Sequence, residues 1–226
     1  MKERSRQFEI LDDPATSAAD IRASLDFMVG VNQWWGGAAS VVDFFERQKT
    51  PDSFSVLDLG TGSGDIPYRL AQWARRKSKN ISITALDVNP HCLDYARRRY
   101  FSPDIRFLNH SAFDMASLGR FDYITSSLFF HHLSEEEIIR LLGLMKEQCR
   151  LGFVVNDLYR GHRSHWGAFF LSLFSGKTVS HDAKLSVLRA FKEKDYLRYR
   201  TATGIPFQIR KKPVFRLMME FYARTD

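Results

Sequence analysis

Three glycines at alternate positions separate an apolar segment from an amphipathic one. Gly60, Gly62 and Gly64 follow the apolar run at residues 55–59 and precede a helical pattern. In a sheet of parallel strands, this is where the backbone turns tightly and where a ligand approaches the main chain closely. The segment therefore predicts a nucleotide-type binding loop, and Thr61 lies within it.

Two carboxylates distinguish this loop from the G-x-G-x-x-G pattern of dinucleotide-binding dehydrogenases. Asp65 occupies the position at which the dehydrogenase pattern has its third glycine. Asp58 precedes the first glycine by two residues, at the predicted end of the strand. A carboxylate at this place repels a pyrophosphate but suits a cationic ligand, directly or through water. The loop alone leaves the identity of the nucleotide open.

Two further acidic residues follow the next two predicted strands. Asp87 ends the second strand, more than about 20 residues after the glycines, where an acid can accept hydrogen bonds from both ribose hydroxyls. Val88 follows it. Asp114 lies in the segment SAFDM after the third strand, where it can accept from an adenine amino group while Ala112 and Phe113 flank the ring. Alternatively, Asp114 starts a helix or a turn.

The glycine loop, the ribose acid and the adenine acid occur in an order that resembles the class I S-adenosylmethionine-dependent methyltransferases. The resemblance covers residue 54 to the C-terminus and is specific because three separate motifs agree. It implies that the chain binds S-adenosyl-L-methionine and releases S-adenosyl-L-homocysteine. It also implies a seven-stranded sheet whose last strand is antiparallel.

Within that superfamily, the segment FDYITSSLFFHHL at residues 121–133 resembles the fourth motif of the ubiquinone- and menaquinone-type branch, which includes many small-molecule O-methyltransferases. Ser126 and Ser127 of this segment are the predicted cofactor contacts. The segments at residues 153–162 and 180–191 resemble a subgroup associated with aromatic polyketide or quinone-like substrates. We therefore expect methyl transfer to a small molecule, at an oxygen of such a compound, in secondary metabolism.

Four residues are candidates for the catalytic machinery. An oxygen nucleophile must lose its proton, and histidine or a carboxylate can assist. His131 and His132 follow the fourth strand; we expect His132 to be the base, with the other histidine packing or capping. Asp157 follows the fifth strand, where a local salt bridge or turn is the alternative. His181 precedes Asp182, which can equally be a helix cap.

The acceptor has its own set of candidate residues. We predict contacts from the N-terminal helices and from the segment after the fifth strand, namely Asn32, Trp34, Arg160, His162 and Trp166. For Arg160, a local salt bridge is the alternative. The aromatic residues of this segment suit a lid over a flat apolar substrate, while core packing or a homodimer interface explains them equally well. No metal site is predicted.

The elements that must position these residues alternate between strands and helices, which favours an α/β fold with a doubly wound, mostly parallel seven-stranded sheet. We divide the chain into a helical N-terminal cap at residues 1–50 and a methyltransferase domain at 51–226, with residues 158–188 as a substrate-lid insertion. The predicted strands are 55–59, 81–86, 105–108, 121–125, 151–155, 206–210 and 214–221. The predicted helices are 66–77, 91–100, one capped by Ser134, and 192–203.

Composition restricts the class of protein. The chain has 226 residues with 44% hydrophobic and 14% aromatic, which suits one folded domain. It has two cysteines, too few for a disulfide framework, and no apolar stretch long enough for a signal peptide or a membrane span. These features predict a cytoplasmic protein.

The net charge of +7 raises two alternatives to a small-molecule enzyme. Residues 183–226 hold 11 Lys/Arg against 4 Asp/Glu, so they account for the whole excess. Such a region can bind RNA, yet the Asn/Asp-Pro-Pro-aromatic motif common in base-modifying enzymes of this class is absent after the fourth strand, and a solvated face is the alternative. A non-catalytic cofactor-binding protein is the other alternative. Asp65 argues against a nicotinamide dehydrogenase.

Overall fold

Seven strands form one sheet in the computed structural model, which describes residues 3–13, 15–34, 36–173 and 175–223. The strands are β1 (Ser53–Leu59), β2 (Asn80–Asp87), β3 (Ile105–Asn109), β4 (Phe121–Ser127), β5 (Cys149–Leu158), β6 (Gln208–Lys212) and β7 (Arg216–Tyr222). The helices are α1 (Ala18–Trp34), α2 (Gly37–Glu46), α3 (Asp65–Arg76), α4 (Pro90–Arg99), α5 (Glu135–Gln148), α6 (His162–Leu171), α7 (Lys177–Arg189) and α8 (Glu193–Thr203).

The order of the strands is β3-β2-β1-β4-β5-β7-β6. β7 runs antiparallel to both β5 and β6, whereas the remaining pairs are parallel. This is the doubly wound, mostly parallel sheet that the sequence predicted, including the antiparallel last strand, which forms a hairpin with β6 at one edge. Because the first strands are parallel, their carboxyl ends share one edge, which is where ligands bind in such sheets.

The hairpin begins and ends later in the chain than predicted. β6 starts at Gln208 and not at residue 206, since Pro206 has no N–H to donate to a neighbouring strand. β7 starts at Arg216 because Val214 and Phe215 have φ of 60° and 62°, a left-handed conformation that turns the chain.

Each face of the sheet carries its own hydrophobic core. On one face, α2 and α3 cover β1 and β4 with a cluster that includes Phe44, Phe45, Phe54, Trp73 and Tyr123. On the other face, α5 and α8 supply Ile138, Leu142, Met145, Tyr196 and Tyr199. As predicted, Ser134 caps α5: its side chain accepts from the backbone N–H of Glu137, and the Glu137 carboxylate accepts from the backbone N–H of Ser134.

The predicted N-terminal cap at residues 1–50 divides into two parts. α2 belongs to the sheet's core, because the apolar side chains of Val41, Phe44 and Phe45 recur at helical spacing and are fully buried beneath it. α1 and the segment before it lie near the carboxyl edge of the sheet. Residues 158–188, predicted as an insertion, form α6 and α7, which pack on each other, and α7 also contacts α1. Among the described residues, no helix has the length and apolarity that crossing a membrane requires.

Candidate active site

A cavity of about 720 Å³ opens at the carboxyl ends of β1, β2 and β4. This volume lies within the range of about 300–1,000 Å³ that is usual for sites of small ligands. Its wall combines the glycine loop with α1, the turn after β4, α6, α7 and the N-terminal segment at residues 4–13, hereafter the strap. Of the predicted site residues, the wall includes Asn32, Gly60, Thr61, Gly62, Asp87, Val88, Ala112, Phe113, Ser127, His131 and His132.

The glycine loop has the geometry that only glycine adopts readily. Gly60, Gly62 and Gly64 have φ of 64°, 51° and 76°. A side chain on Gly60 would also meet the ring of Phe129 at 2.5 Å, so this position requires glycine for space as well as for conformation. The loop backbone is therefore exposed to the cavity at the point where β1 ends.

Asp87 holds the loop from the neighbouring strand. One carboxylate oxygen of Asp87 accepts from the backbone N–H of Gly62 at 2.8 Å, and the other accepts from the backbone N–H of Asn89 at 2.9 Å. Both oxygens retain lone pairs for further donors, because a carboxylate can accept about four hydrogen bonds. Asp87 thus lies at the cavity wall with the accepting capacity that two ribose hydroxyls need.

Asp58 and Asp65 lie buried beside the loop. The hydroxyl of Thr125 donates to Asp58 at 2.7 Å, and burial raises the pKa of the Asp58 carboxyl to about 7, with the charges of Asp65 and Asp87 acting in the same direction. Burial also raises the pKa of Asp65, whose carboxylate accepts from Ser63 and Asn32. Three carboxyl groups around one loop make this end of the cavity favourable for a cationic ligand.

Four predicted cofactor residues do not reach the cavity wall. Asp58 lies beneath it, and Gly64 serves packing, since a side chain there would meet Ala96 at 2.7 Å. Ser126 is buried and donates to the carbonyl of Leu59. Asp114 is exposed in the first turn of the 3₁₀ helix Ala112–Leu118, which Ser111 and not Asp114 caps, so its role as an adenine acid stays a prediction.

The two adjacent histidines are each paired with a carboxylate. His131 Nδ1 lies 2.7 Å from Asp157, which also accepts from the backbone N–H of His131. The ion pair with buried His131 lowers the pKa of Asp157, although burial opposes this effect. His132 Nδ1 lies 2.7 Å from Asp12. Asp157 was a predicted catalytic candidate. It contacts His131 but does not itself line the cavity.

The strap supplies acidic residues that the sequence analysis missed. Glu9 and Asp12 line the cavity, and Glu9 Oε1 lies 3.6 Å from His131 Nε2. The strap is held by backbone and side-chain bonds to α7, in which Asp182 accepts from the backbone N–H groups of Ile10 and Leu11. The only local signal in the sequence was the acidic character of residues 9–13, which is also typical of a solvated terminus.

Arg189 joins the strap to the histidine turn. Its guanidinium donates to the backbone carbonyls of His131, His132 and Gln7, and to the carboxylate of Asp12, at distances from 2.7 to 3.0 Å. Arg189 lies at the end of α7, so one side chain connects three segments that are distant in sequence.

Arg216 is a second residue that the sequence analysis missed. It is 1% exposed, lines the cavity and donates to Asn32 Oδ1 at 3.1 Å, while its Nε and Nη1 atoms have no hydrogen-bond partner among the described residues. Burial lowers the pKa of Arg216 to about 10, with Asp157 and Asp65 opposing that shift. Asn32, a predicted acceptor contact, bridges Arg216 to Asp65. Two free donors on a buried guanidinium suit an anionic group.

The remaining predicted residues lie away from the cavity wall. Arg160 is buried in an ion pair with Asp195, 35 residues further along the chain, so it forms a salt bridge, although not a local one. His162 and Trp166 are exposed on α6, and His181 is 55% exposed within α7 beside Asp182. Asp182 does not cap α7, because it lies inside that helix. Its carboxylate accepts instead from backbone N–H groups of the strap. The side chain of Trp34 lies outside the described residues.

The site fits S-adenosylmethionine, which carries ammonium and sulfonium charges, a carboxylate, a ribose and an adenine. The carboxyl groups of Asp58 and Asp65 suit its cationic part, and Asp87 can accept from its ribose hydroxyls. The left-handed glycines allow close approach to the main chain.

Comparisons with known proteins agree with this fit. Residues 56–152 match a family model described as a methyltransferase domain. The ubiquinone/menaquinone biosynthesis C-methyltransferase UbiE of Rickettsia bellii (strain OSU 85-389) is 25% identical over 174 residues, covering 69% of this chain and 69% of the relative. The corresponding protein of Rickettsia peacockii (strain Rustic) is 29% identical over 111 residues, covering 48% of this chain and 44% of the relative, which is less than half of its length.

Solved structures share the fold at low sequence identity. The plantazolicin methyltransferase BpumL in complex with SAH matches with a TM-score of 0.66 and 14% identity, over 95% of this chain and 92% of that one. Magnesium protoporphyrin IX methyltransferase (ChlM) from Synechocystis PCC 6803 with bound SAH matches with a TM-score of 0.59 and 16% identity, over 97% and 90%.

The sheet, its glycine loop and these matches define a class I S-adenosylmethionine-dependent methyltransferase. Residues 56–152 match the methyltransferase domain of that class, and the class uses S-adenosyl-L-methionine as its cofactor. Within the class, its sequence is similar to the ubiquinone/menaquinone-type members named above.

Proposed function

We propose that the acceptor is a small aromatic, polyketide-like or quinone-like molecule and that the methyl group is transferred to one of its oxygen atoms. The observation that carries this proposal is the His132–Asp12 pair in the wall of the cavity. In its neutral form, a histidine whose Nδ1–H donates to a carboxylate presents an unprotonated Nε2, which can accept a proton from a hydroxyl group. Burial acts to lower the pKa of His132, but Glu9 and Asp12 outweigh it and raise that pKa, so the neutral form becomes more abundant as the pH rises. This pairing favours an acceptor that must lose a proton.

S-adenosylmethionine, when bound, supplies a methyl group on a sulfonium, which an oxygen nucleophile can attack in line. The residues of the chain orient the two reactants and exclude water. In this proposal, the glycine loop and Asp87 hold the methionyl and ribose parts, and Ala112 and Phe113 flank the adenine. His132 Nε2 accepts the hydroxyl proton, and His131, fixed by Asp157, supports the turn that carries it.

The acceptor end of the cavity favours an apolar molecule with one anionic group. Leu171 and Val187 of α6 and α7 contribute apolar side chains to the wall of the cavity, as do Leu25 and Met28 of α1. Arg216 offers two free donors for a carboxylate or a phenolate. We propose that α6, α7 and the strap together form the lid over this acceptor, in place of the insertion alone.

A ring carbon is the second candidate for the methylated atom, because the curated relatives carry the name C-methyltransferase. RNA is not favoured, since several C-terminal cations already have acidic partners within the fold. These pairs are Arg198 with Glu135, Arg210 with Glu220, Lys211 with Glu193 and Lys212 with Asp43.

Methyl transfer from S-adenosylmethionine with a ¹³C-labelled methyl group tests the proposal. The acceptors are phenols with and without a carboxylate, aromatic amines and enolisable carbon acids, and NMR identifies the labelled atom. We expect the label on a phenolic oxygen. We also expect His132→Ala to lower kcat by about 100-fold, the usual range for loss of a general base, while His181→Ala, which removes an exposed histidine, leaves kcat unchanged.

Label on carbon or nitrogen alone would contradict oxygen as the methylated atom. Full activity of His132→Ala would contradict the role of His132.

A further inference from the structure

The free ring nitrogens of the two histidines face the same carboxylate. His131 Nε2 lies 3.6 Å from Glu9 Oε1, and His132 Nε2 lies 3.9 Å from Glu9 Oε2. These separations are too long for hydrogen bonds. They are close to the spacing of about 3.3 Å between neighbouring ligands on a tetrahedral ion with bonds of about 2.0–2.1 Å. One ligand atom from each residue lies within 4.8 Å of the others.

The other nitrogen of each ring is already fixed by a carboxylate. Asp157 and Asp12 lie 2.7 Å from the Nδ1 atoms of His131 and His132, respectively. A histidine that binds a metal ion through Nε2 commonly donates its Nδ1–H to a carboxylate, which fixes the ring and raises its basicity. Here both histidines have this partner, and both Nε2 atoms point toward a third ligand.

The charges around this cluster favour a cation. Glu9, Asp12 and Asp157 bring three carboxylates, of which Asp12 is bonded to Arg189. Arg4, which donates to the backbone carbonyl of His131, and the buried Arg216, which interacts with Asp157, are other cations nearby, and neither is bonded to Glu9. Glu9 and His131 are 4% and 3% exposed, so their charges are poorly screened by water. A divalent ion between them would neutralise this excess of negative charge.

We propose that Glu9, His131 and His132 bind a divalent transition metal ion of the Zn²⁺ type. Two imidazoles and one carboxylate leave a coordination position open, and all three residues line the cavity, so that position faces the acceptor. The role of the ion rests on the proposed transfer to oxygen: it would bind the acceptor oxygen in its deprotonated form, with the proton released to solvent. In the metal-bound protein His132 is a ligand, so its role as the base in the proposed function applies to the metal-free protein.

Metal binding to the full chain, stripped with a chelator and saturated with S-adenosylhomocysteine, tests this site. Co²⁺ is the probe, because its visible absorption reports nitrogen and oxygen coordination, and Zn²⁺ is the competitor. We expect one equivalent of Co²⁺ to bind and to be displaced by Zn²⁺. Glu9→Gln, which removes a ligand charge, should weaken Co²⁺ binding by at least about 100-fold, and Asp157→Asn by about 10-fold.

Two controls keep the test decisive. His181→Ala removes a histidine that also lies beside a carboxylate but outside the cavity, and it should bind Co²⁺ as the wild type does. Calorimetry of S-adenosylhomocysteine binding shows that each variant is folded. No uptake of Co²⁺ or Zn²⁺ by the wild type, or equal uptake by folded Glu9→Gln, would overturn the proposal. The titration needs no acceptor, so failure to methylate oxygen would overturn the proposed function and leave this site standing.

Discussion

The cofactor half and the acceptor half of the cavity are built in different ways. The cofactor half comes from the ends of consecutive parallel strands and the turns after them, between Gly60 and Ser127. The half that we propose for the acceptor comes from the strap, α1, α6, α7 and Arg216, which are far apart in the chain. A half assembled from neighbouring turns leaves a local pattern in the sequence, whereas a half assembled from distant segments leaves none.

A single methyl group on the glycine loop gives the largest expected effect. Gly60→Ala would force an alanine to φ of 64° and bring its Cβ to 2.5 Å from Phe129. We expect cofactor affinity to fall about 100-fold, from about 3 kcal/mol of combined strain and clash. Calorimetry measures the change. Gly143→Ala is the matched control, because Gly143 lies in α5 with open space around it. Cofactor binding equal in the two variants would contradict the structural role of Gly60.

The sequence predicted both Asp87 and Asp114 as cofactor contacts, but only Asp87 lines the cavity. Asp87→Ala removes a carboxylate that accepts from the loop and lines the cavity, and we expect cofactor affinity to fall about 30-fold, or about 2 kcal/mol. Asp114→Ala alters an exposed side chain outside the wall and should leave affinity within about twofold. Similar losses in both variants, measured by calorimetry, would support Asp114 as an adenine contact.

Two buried arginines allow the same comparison for the acceptor half: Arg216 lines the cavity, and Arg160 does not. Arg216→Met removes a guanidinium with unpartnered donors, so we expect the KM for a phenolic acid to rise about tenfold while stability to denaturant is kept or improved. Arg160→Met removes the buried partner of Asp195 and leaves it with the exposed Arg198 at 3.3 Å, so it should cost about 3 kcal/mol of unfolding free energy. If Arg216→Met left KM unchanged, the anion would have to bind elsewhere.

The smallest expected effect is the pH dependence of cofactor binding. Asp58 has a pKa raised to about 7, so it is mostly neutral at pH 6 and charged at pH 8. A cationic ligand favours the charged form, so affinity for S-adenosylmethionine should rise about threefold over this interval. S-adenosylhomocysteine, which lacks the sulfonium charge, should respond less. Asp58→Asn should abolish the difference, and a pH dependence that persists in this variant would assign it to another group.

The sheet was predictable because its signals are short in range. Each buried parallel strand is a short apolar run between turns, and Ser134 and Glu137 mark the start of α5 within four residues. α2 was assigned to a cap because its apolar pattern indicates burial without indicating the surface that buries it. The same limit applies to the hairpin, where Val214 and Phe215 adopt a conformation that their residue types disfavour.

The residues of the candidate site could be predicted only where they lie together in one turn after a strand. Gly60, Gly62 and Asp87 follow from spacing, and the histidines from their motif. Glu9, Asp12 and Arg216 could not be found in this way, because their partners are brought to them by the tertiary fold alone. Arg160 and His181 are residue types that can bind a substrate or move a proton, but neither lines the cavity. Arg160 is buried in an ion pair, and His181 is exposed on α7.

The bonds of Arg189 have a consequence for how molecules enter the cavity. Its side chain holds the strap, the histidine turn and the end of α7 at once, so the loss of any one of these contacts weakens the other two. Segments coupled in this way open as one cooperative unit and not one by one. We therefore expect the strap, the histidine turn and the end of α7 to move together when a reactant enters the acceptor half.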